Sequence, residues 1–391
     1  MSLISLDNAW TIIASKVQPL SSETIHLSDA AGRILAAPVI AAFDSPRSTV
    51  STMDGFAVRG GDGPELRVIG TSAAGSAFGG PVAPGEAVRI FTGAALPDGA
   101  TRVVIQEHVT ANGERITIED DSGPPFVRHR ASDFAAGAEV VEAGSLLTPG
   151  ALVAAAGAGT STITVTRRPR VLTIATGDEL RPAGDPLGPD HIPDSLAPGL
   201  TAMIAAMGGE MLGHHLIGDH LATLQASAAS AVARCDLVVV TGGASVGARD
   251  HAKAMFEPLG LELLFSKVAI KPGKPVWFGR VGATWVIGLP GNPVSAMVTA
   301  RLLLAPLVAR LLGQTRPAPL GWIDLPLGSP IPATGDRETF VRASLVDGKL
   351  LAVANQDSGA QRALGEANWL VRCPAGQALL MEGTPVRALA L

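Results

Sequence analysis

From Arg168 to Leu312 the chain alternates short apolar runs with helix-like stretches, and this alternation limits the possible folds more than any other feature. Val171–Ala175, Met211–Ile217, Leu237–Val240, Leu261–Ile270 and Trp285–Gly288 read as strands. Helices are expected at Pro198–Met207, stopped by Gly208-Gly209, at the Ala-rich His220–Arg234, at Asp250–Phe256, and at Pro293–Leu312 with a kink at Pro306. Alternation of this length predicts a parallel sheet covered on both faces. Residues 1 to about 165 have a different texture, rich in Gly, Pro and short β-like runs. There Val103–Thr110 and Glu114–Glu119 predict a hairpin around Asn112-Gly113, with further strands at Arg67–Gly70 and Ala87–Thr92. Beyond Gln314 the prolines at 317, 319, 326, 330 and 332 lead into a small β-domain.

Composition removes several function classes. The 391 residues are 47% hydrophobic and 17% charged, enough to bury sizeable cores in two to four domains. The most apolar stretches are Ala151–Val165, broken by Gly and Thr, and Met297–Leu312, which carries Arg301 and Arg310. Neither reads as the roughly 20 uninterrupted apolar residues of a bilayer span, so no membrane association is expected. Met1–Trp10 holds Asp7 and no basic stretch, so no secretory signal is expected. Cys235 and Cys373 stand far apart, which predicts free thiols in a cytoplasmic protein rather than a disulfide or zinc framework. A net charge of −5 and 4% aromatics without Tyr argue against nucleic acid as a partner.

The strands of the middle region are followed by unusual loops. They are Thr176-Gly177-Asp178-Glu179, the Thr241–Gly247 segment TGGASVG, Lys271-Pro272-Gly273-Lys274-Pro275, and Gly288-Leu289-Pro290-Gly291-Asn292-Pro293. Open α/β sheets bind ligands beyond the carboxyl ends of their strands, so a ligand site is expected there. Backbone amides at 242–247 suit an anion, and four of the chain's six Lys (253, 267, 271 and 274) fall within 22 positions. Phosphate or pyrophosphate is the expected guest. Asp178, Glu179, Asp219 and Asp250 beside it suit Mg²⁺, although Asp219 and Asp250 can equally be helix caps and sequence alone does not order Asp178 against Glu179. Met53-Asp54-Gly55 and Ile90-Phe91-Thr92-Gly93 read as tight turns, and His214-His215, facing opposite ways on a strand, cannot readily share a metal.

Six segments in series carry a family resemblance: STMDGFAV at 51–58, IFTGA at 90–94, TGDEL at 176–180, TGGASVG with Asp250 at 241–250, KPGKP at 271–275 and GLPGNPVS at 288–295. In this order and spacing the chain resembles the molybdopterin molybdenumtransferases (MoeA, and the E domain of gephyrin and its plant counterpart) over nearly its whole length. The resemblance implies a multidomain α/β and β fold. Its parts would be an elongated linking domain (21–42 plus 141–166), a β-rich domain (43–140), a central parallel α/β molybdopterin-binding domain (1–20 plus 167–315) and a C-terminal β-barrel (316–391). It implies a homodimer whose cleft receives Asp54 and Thr92 from the partner. The implied reaction is adenylyl-molybdopterin plus molybdate giving molybdenum cofactor plus AMP, with Mg²⁺ held by Glu179, Asp219 and Asp250. Gly242, Gly243, Ser245, Gly247, Lys267, Lys271, Lys274, Pro290 and Pro293 would line the phosphate and pterin site. Arg342 and Ser358 of the barrel would hold molybdate. Asp133 matches another acidic position, and Ala131 stands where the family usually has Gly. A separate adenylyltransferase would supply the substrate.

Two other classes share parts of this pattern. An adenylyltransferase or nucleotide pyrophosphatase on the same α/β domain would not need the 165-residue N-terminal region or the barrel. A purely structural scaffold would not need Asp54, Glu179, Asp219 and Asp250.

Overall fold

The computed structural model describes residues 3–242, 251–315 and 320–391. Helix α1 (Leu6–Lys16) opens the chain, capped by the Ser5 hydroxyl, which accepts from the Asn8 amide at 3.1 Å. Its buried residues Leu6, Ala9 and Ile13 keep helical spacing and join the central core. Ser22–His26 then pairs antiparallel with Thr162–Thr166, and Val39–Ile40 with Glu139–Val141, forming a narrow two-stranded link. Between these pairs lies a six-stranded sheet. Its strands are β1 (Gly55–Val58), β2 (Glu65–Ser72), β3 (Glu86–Ile90), β4 (Arg102–Ile105), β5 (Val109–Asn112) and β6 (Arg115–Ile118), in spatial order β4-β1-β3-β2-β6-β5. The Asn112-Gly113 hairpin forms as expected between β5 and β6, with Gly113 at φ +63°. The expected single arm Val103–Thr110 is instead two strands, because a 3₁₀ turn at Gln106–His108 redirects the chain from β4 into β5.

The central domain holds β7 (Arg170–Thr176), helix α2 (Leu196–Ala206), β8 (Glu210–Ile217), helix α3 (Leu221–Val232), β9 (Leu237–Thr241) and β10 (Glu262–Phe265). Next come β11 (Ile270–Lys271), β12 (Trp277–Val281), β13 (Thr284–Leu289), and the helices α4 (Pro293–Thr299) and α5 (Ala305–Leu311). The sheet order is β8-β7-β9-β13-β12-β10, and β8, β7, β9 and β13 are parallel as expected. Two expectations need correction. The sheet is not parallel throughout, because Trp277–Val281, absent from the sequence reading, forms a hairpin with β13 across Gly282-Ala283, and a two-residue turn can join only antiparallel strands. Leu261–Ile270 is not one strand. After Phe265 the chain turns, with the Ile270 amide donating to Val268 O at 2.8 Å, and β11 leaves for the C-terminal sheet.

The expected kink at Pro306 takes a particular form. A π-helical turn at Ala300–Leu304 separates α4 from α5. Pro306 has no N–H for the Leu302 carbonyl, and the Trp10 indole N–H of α1 donates to that oxygen at 2.8 Å instead. The continuous 19-residue helical stretch Pro293–Leu311 has the length and apolarity of a membrane span, but 78% of it is buried within the fold. Its burial is spent on the core that α1, α2 and the central sheet also line.

The C-terminal region comprises β14 (Ile323–Pro326), β15 (Glu338–Val346), β16 (Lys349–Ala352), β17 (Trp369–Cys373) and β18 (Pro385–Ala390). They pair antiparallel in the order β16-β15-β17-β18-β14. A parallel bridge between Leu327 and Leu350, with Gly328 N donating to Leu350 O at 2.8 Å, closes the ring into a barrel around Leu327, Val341, Leu350 and Val371. Strand β11 adds to its side, pairing parallel with Glu338–Thr339 of β15.

Candidate active site

The loops at the carboxyl ends of the central strands touch one another. Gly242, at φ +88°, lies so close to the end of β7 that a Cβ there would stand 2.4 Å from Thr176 O. A Cβ on Gly291 would lie 3.4 Å from Gly242 Cα. Three of the four loops singled out in the sequence therefore converge. The Thr176 hydroxyl at this junction is buried and has no hydrogen-bond partner among the described residues. Such an orphan costs on the order of 1–3 kcal/mol, and a polar guest would relieve it. Gly243, Ser245, Gly247 and Asp250 lie outside the described residues.

Beside this junction stand Asp178, Glu179 and Asp219. The Asp219 amide donates to Asp178 Oδ1 at 2.9 Å, which gives Asp178 a holding role at the turn after β8. The Glu179 carboxylate folds back over Gly177, where a Cβ would meet its oxygens at 2.7 and 2.8 Å. Burial, then the charges of Asp178 and Glu179, push the Asp219 carboxyl above its ordinary value, against the opposing pull of His251 and of the Asp178 backbone amide that donates to it. Helix α3 starts from His220 with no side-chain cap, so the Asp219 carboxylate is not spent as one. No ion pair joins these three acids to a described Lys or Arg. Oxygen donors in this condition suit a hard divalent cation. Among the described residues no three His, Cys, Asp or Glu side chains already converge as a complete ligand set.

The departure of β11 from the central sheet sets the lysines between two domains. Lys271 sits on the strand that joins the barrel, and Lys271 and Lys274 are both exposed. Half-buried Lys267 is anchored by its carbonyl, which accepts from Ile4 N at 3.2 Å. From the barrel, Ser358 meets the GLPGNP loop: Asn292 Nδ2 donates to Ser358 Oγ at 2.9 Å, and Val294 N to Ser358 O at 3.2 Å. Asn292 is the N-cap of α4, ahead of Pro293, yet its amide serves this interdomain bond instead of the helix. Pro290 of the same loop is buried. Arg342, 1% exposed, donates from Nη2 to the Asn355 and Asp357 carbonyls at 3.1 Å each, while Nε and Nη1 have no partner. Burial pulls its pKa down, opposed by Asp357. A buried guanidinium with two unpartnered nitrogens is a ready oxyanion ligand.

In the N-terminal sheet the two segments that read as turns come together. Asp54 Oδ1 accepts from the Thr92 amide at 2.7 Å and the Thr92 hydroxyl at 2.8 Å. These bonds, with the charge of Arg89, hold the Asp54 carboxyl below its ordinary value. Gly55 is needed beside it, since a Cβ would fall 2.0 Å from Val104 O. Asp54 and Thr92 share no hydrogen bond or ion pair with the strand-tip loops among the described residues. Asp133 pairs with Ser45 through its backbone and side chain, and Ala131 just before it adopts φ +59°, which explains why Gly suits that position. His214 and His215 bond to different partners, Asp194 and Ser227, as their opposite orientation predicts.

The sequence reading missed three residues: Thr176, Arg89, and Asn292 as a link to the barrel. Asn292 had a signal, since an N-cap Asn before Pro was in view, but its partner 66 positions away was not.

A three-part chain with a central α/β domain bearing a phosphate-suited loop set, flanked by a β-rich region and a barrel, has the architecture of a molybdenum cofactor biosynthesis enzyme. Family models bear this out: "MoeA N-terminal region (domain I and II)" matches residues 4–159, "Probable molybdopterin binding domain" 172–310, and "MoeA C-terminal region (domain IV)" 324–391. A molybdopterin molybdenumtransferase of Haemophilus influenzae is 37% identical over 80% of this chain and 78% of its own length. One from Nostoc sp. is 32% identical over 99% of this chain and 94% of its own. A crystal structure of a molybdopterin biosynthesis MoeA protein from Pyrococcus horikosii superposes with a TM-score of 0.82 at 30% identity, covering 100% of this chain and 99% of that one. The chain belongs to the molybdopterin molybdenumtransferase (MoeA) family of transferases.

Proposed function

We propose that this chain transfers molybdenum from molybdate to adenylyl-molybdopterin, releasing AMP, in a Mg²⁺-dependent reaction. The observation that carries the reading is the strand-tip junction, where acids that pair with no Lys or Arg among the described residues adjoin an orphaned hydroxyl and loops suited to phosphate. Backbone amides from Gly242 onward, through Gly243, Ser245 and Gly247, receive the diphosphate, and Lys267, Lys271 and Lys274 neutralise it. Glu179, Asp219 and Asp250 would hold Mg²⁺, which supplies charge stabilisation at the phosphoryl oxygens and the departing AMP. Pro290 and Pro293 shape the rigid wall that Asn292 ties to Ser358. Arg342 offers its unpartnered Nε and Nη1 to molybdate, with Ser358 next to Asp357, whose carbonyl accepts from Arg342.

Asp54, kept ionised by Thr92, acts from the partner copy of a homodimer; among the described residues it has no hydrogen bond to its own chain's strand-tip loops. We place the enzyme in the cytoplasm, where a separate adenylyltransferase supplies its substrate. The test is direct: purified chain, adenylyl-molybdopterin, molybdate and Mg²⁺ are mixed, and AMP and molybdenum cofactor are measured. AMP release that depends on both Mg²⁺ and molybdate supports the reading. Formation of adenylyl-molybdopterin with release of pyrophosphate from ATP and free molybdopterin, without added molybdate, would replace it with the adenylyltransferase reading.

A further inference from the structure

One polar chain in the central domain is used by neither the phosphate loops nor the lysines. Thr173 of β7 and His214 of β8 are register partners across the parallel pair, and Thr173 Oγ1 lies 2.7 Å from His214 Nδ1. His214 Nε2 lies 2.6 Å from Asp194 Oδ2. Thr173 is 1% exposed and Asp194 5% exposed. A buried carboxylate accepts only, so His214 Nε2 carries a proton and donates, while the Thr173 hydroxyl serves Nδ1. Burial pushes the Asp194 carboxyl up, but the His214 bond and charge and the Ala197 and Leu196 amides outweigh it and keep the group ionised.

The two ends of this chain lead to the two site acids. His214 lies on β8, which ends at Ile217 and delivers Asp219 after Gly218. Asp194 closes the loop that begins at Gly177 and carries Glu179. Its amide donates to Arg181 O at 2.7 Å, and two residues earlier the Ile192 amide donates to Glu179 O at 2.8 Å. Leu180–Arg181 and Ile192–Pro193 pair as a short parallel ladder, so this loop is a braced unit rather than a free strap. Asp194 Oδ1 also accepts from the Ala197 amide in the first turn of α2, at 3.3 Å. At its near end the loop is tied to the end of β8 by the Gly177 amide, which donates to Ile217 O at 3.2 Å, and by Asp178 Oδ1, which accepts from the Asp219 amide. Among the described residues the His214–Asp194 bond is the side-chain tie from β8 to its far end.

We propose that His214 is a positioning residue: by bridging Thr173 to Asp194 it sets the Glu179 loop against the Asp219 strand for divalent-cation binding. The inference rests on the cation reading of the acids given above. Without the bridge, the Asp194 carboxylate would lose its imidazole donor and the far end of the loop its tie to β8, leaving Glu179 held against Asp219 from the near end alone. Outer groups that orient metal ligands typically change affinity about 10–100-fold.

The test measures Mn²⁺ binding to the full-length chain by electron paramagnetic resonance, with H214L, H214Q and D219N beside the unaltered protein. His214→Leu is expected to keep its far-ultraviolet circular dichroism and bind Mn²⁺ about 10–100-fold more weakly. His214→Gln, whose amide can donate to Asp194 and accept from Thr173, is expected to recover most of the loss. Wild-type affinity in H214L alongside a defect in D219N overturns the bridge and leaves the cation reading standing, as does H214Q binding no better than H214L. Undiminished binding in D219N overturns the cation reading and the bridge with it. Should H214L not fold, Thr173→Val removes one end of the bridge at nearly constant shape. A several-fold weaker Mn²⁺ affinity in T173V then supports the bridge, and unchanged affinity overturns it.

Discussion

The two ends of the central sheet carry the same kind of side chain in opposite conditions. At the amino ends, Asp236 precedes β9 and is gripped on both oxygens: Arg167 donates to Oδ2 at 2.6 Å and to Oδ1 at 2.7 Å, and the Arg170 amide to Oδ2 at 2.8 Å. Burial opposes ionisation there, but these donors hold the carboxyl at about 2. At the carboxyl ends, Asp219 has burial and two like charges against it and is pushed up instead. The first end is electrostatically complete within the chain. The second has no Lys or Arg partner among the described residues, and under the proposed reading it is completed by a cation, in the way that a ligand site is built at the expense of stability.

The largest break in this comparison is Asp219→Asn. If Asp219 holds the cation, AMP release should fall about a hundredfold or more, the scale of losing one preorganised charge at a reacting phosphate. Its stability should move the other way. A carboxyl whose folded pKa is raised costs stability once pH exceeds its unfolded value near 4, so at pH 7 D219N should be as stable as the parent or more so. A variant that loses activity only because it unfolds would contradict this reading, and urea denaturation beside the activity assay separates the two outcomes.

Asp236→Asn makes the reciprocal change and should spare activity. Asp236 is depressed from 3.8 to about 2, so its contribution is present above the unfolded pKa and fades as pH falls toward 2. The shift corresponds to about 2 kcal/mol at neutral pH. Urea titrations should show D236N weaker by about that amount at pH 7, with the gap closing between pH 4 and pH 2. A constant gap across that range would mean that Asn disrupts packing rather than charge.

The same contrast shows what the sequence could reveal. The parallel strands were legible because their runs are largely apolar, most completely in the fully buried Leu237–Thr241. The strand-tip loops were legible because Gly-rich segments with acids or lysines follow the runs. Hairpin strand β12 was not, since Trp277–Val281 follows the KPGKP loop directly and looks like its continuation. The split of Leu261–Ile270 was hidden because both halves are apolar: Phe265 packs in the central core, and Ile270 reaches the barrel side with the same hydrophobic character. From their own residues Asp54 and Thr92 read only as turns, and the family resemblance alone gave them a place in a cleft. Their mutual bond spans 38 positions and no local pattern encodes it. His214 was legible as a strand residue facing away from His215, but its partner Asp194 lies in a loop that has no periodicity to place it.

Added Mg²⁺ gives the smallest and sharpest version of the comparison, because it should act on one end of the sheet only. A ligand that binds the folded state alone stabilises it by RT ln(1 + [L]/Kd), about 1.4 kcal/mol at ten times the Kd. The unaltered chain should therefore melt at a higher temperature in Mg²⁺ than in an equal ionic strength of NaCl, which screens exposed charges without a specific site. D236N should start lower and gain the same increment, since its missing charge is at the far end of the strands. D219N should gain none, its Coulomb conflict having already been removed by substitution. An equal increment in all three proteins would place the cation elsewhere and leave the raised Asp219 as a feature of folding rather than of the site.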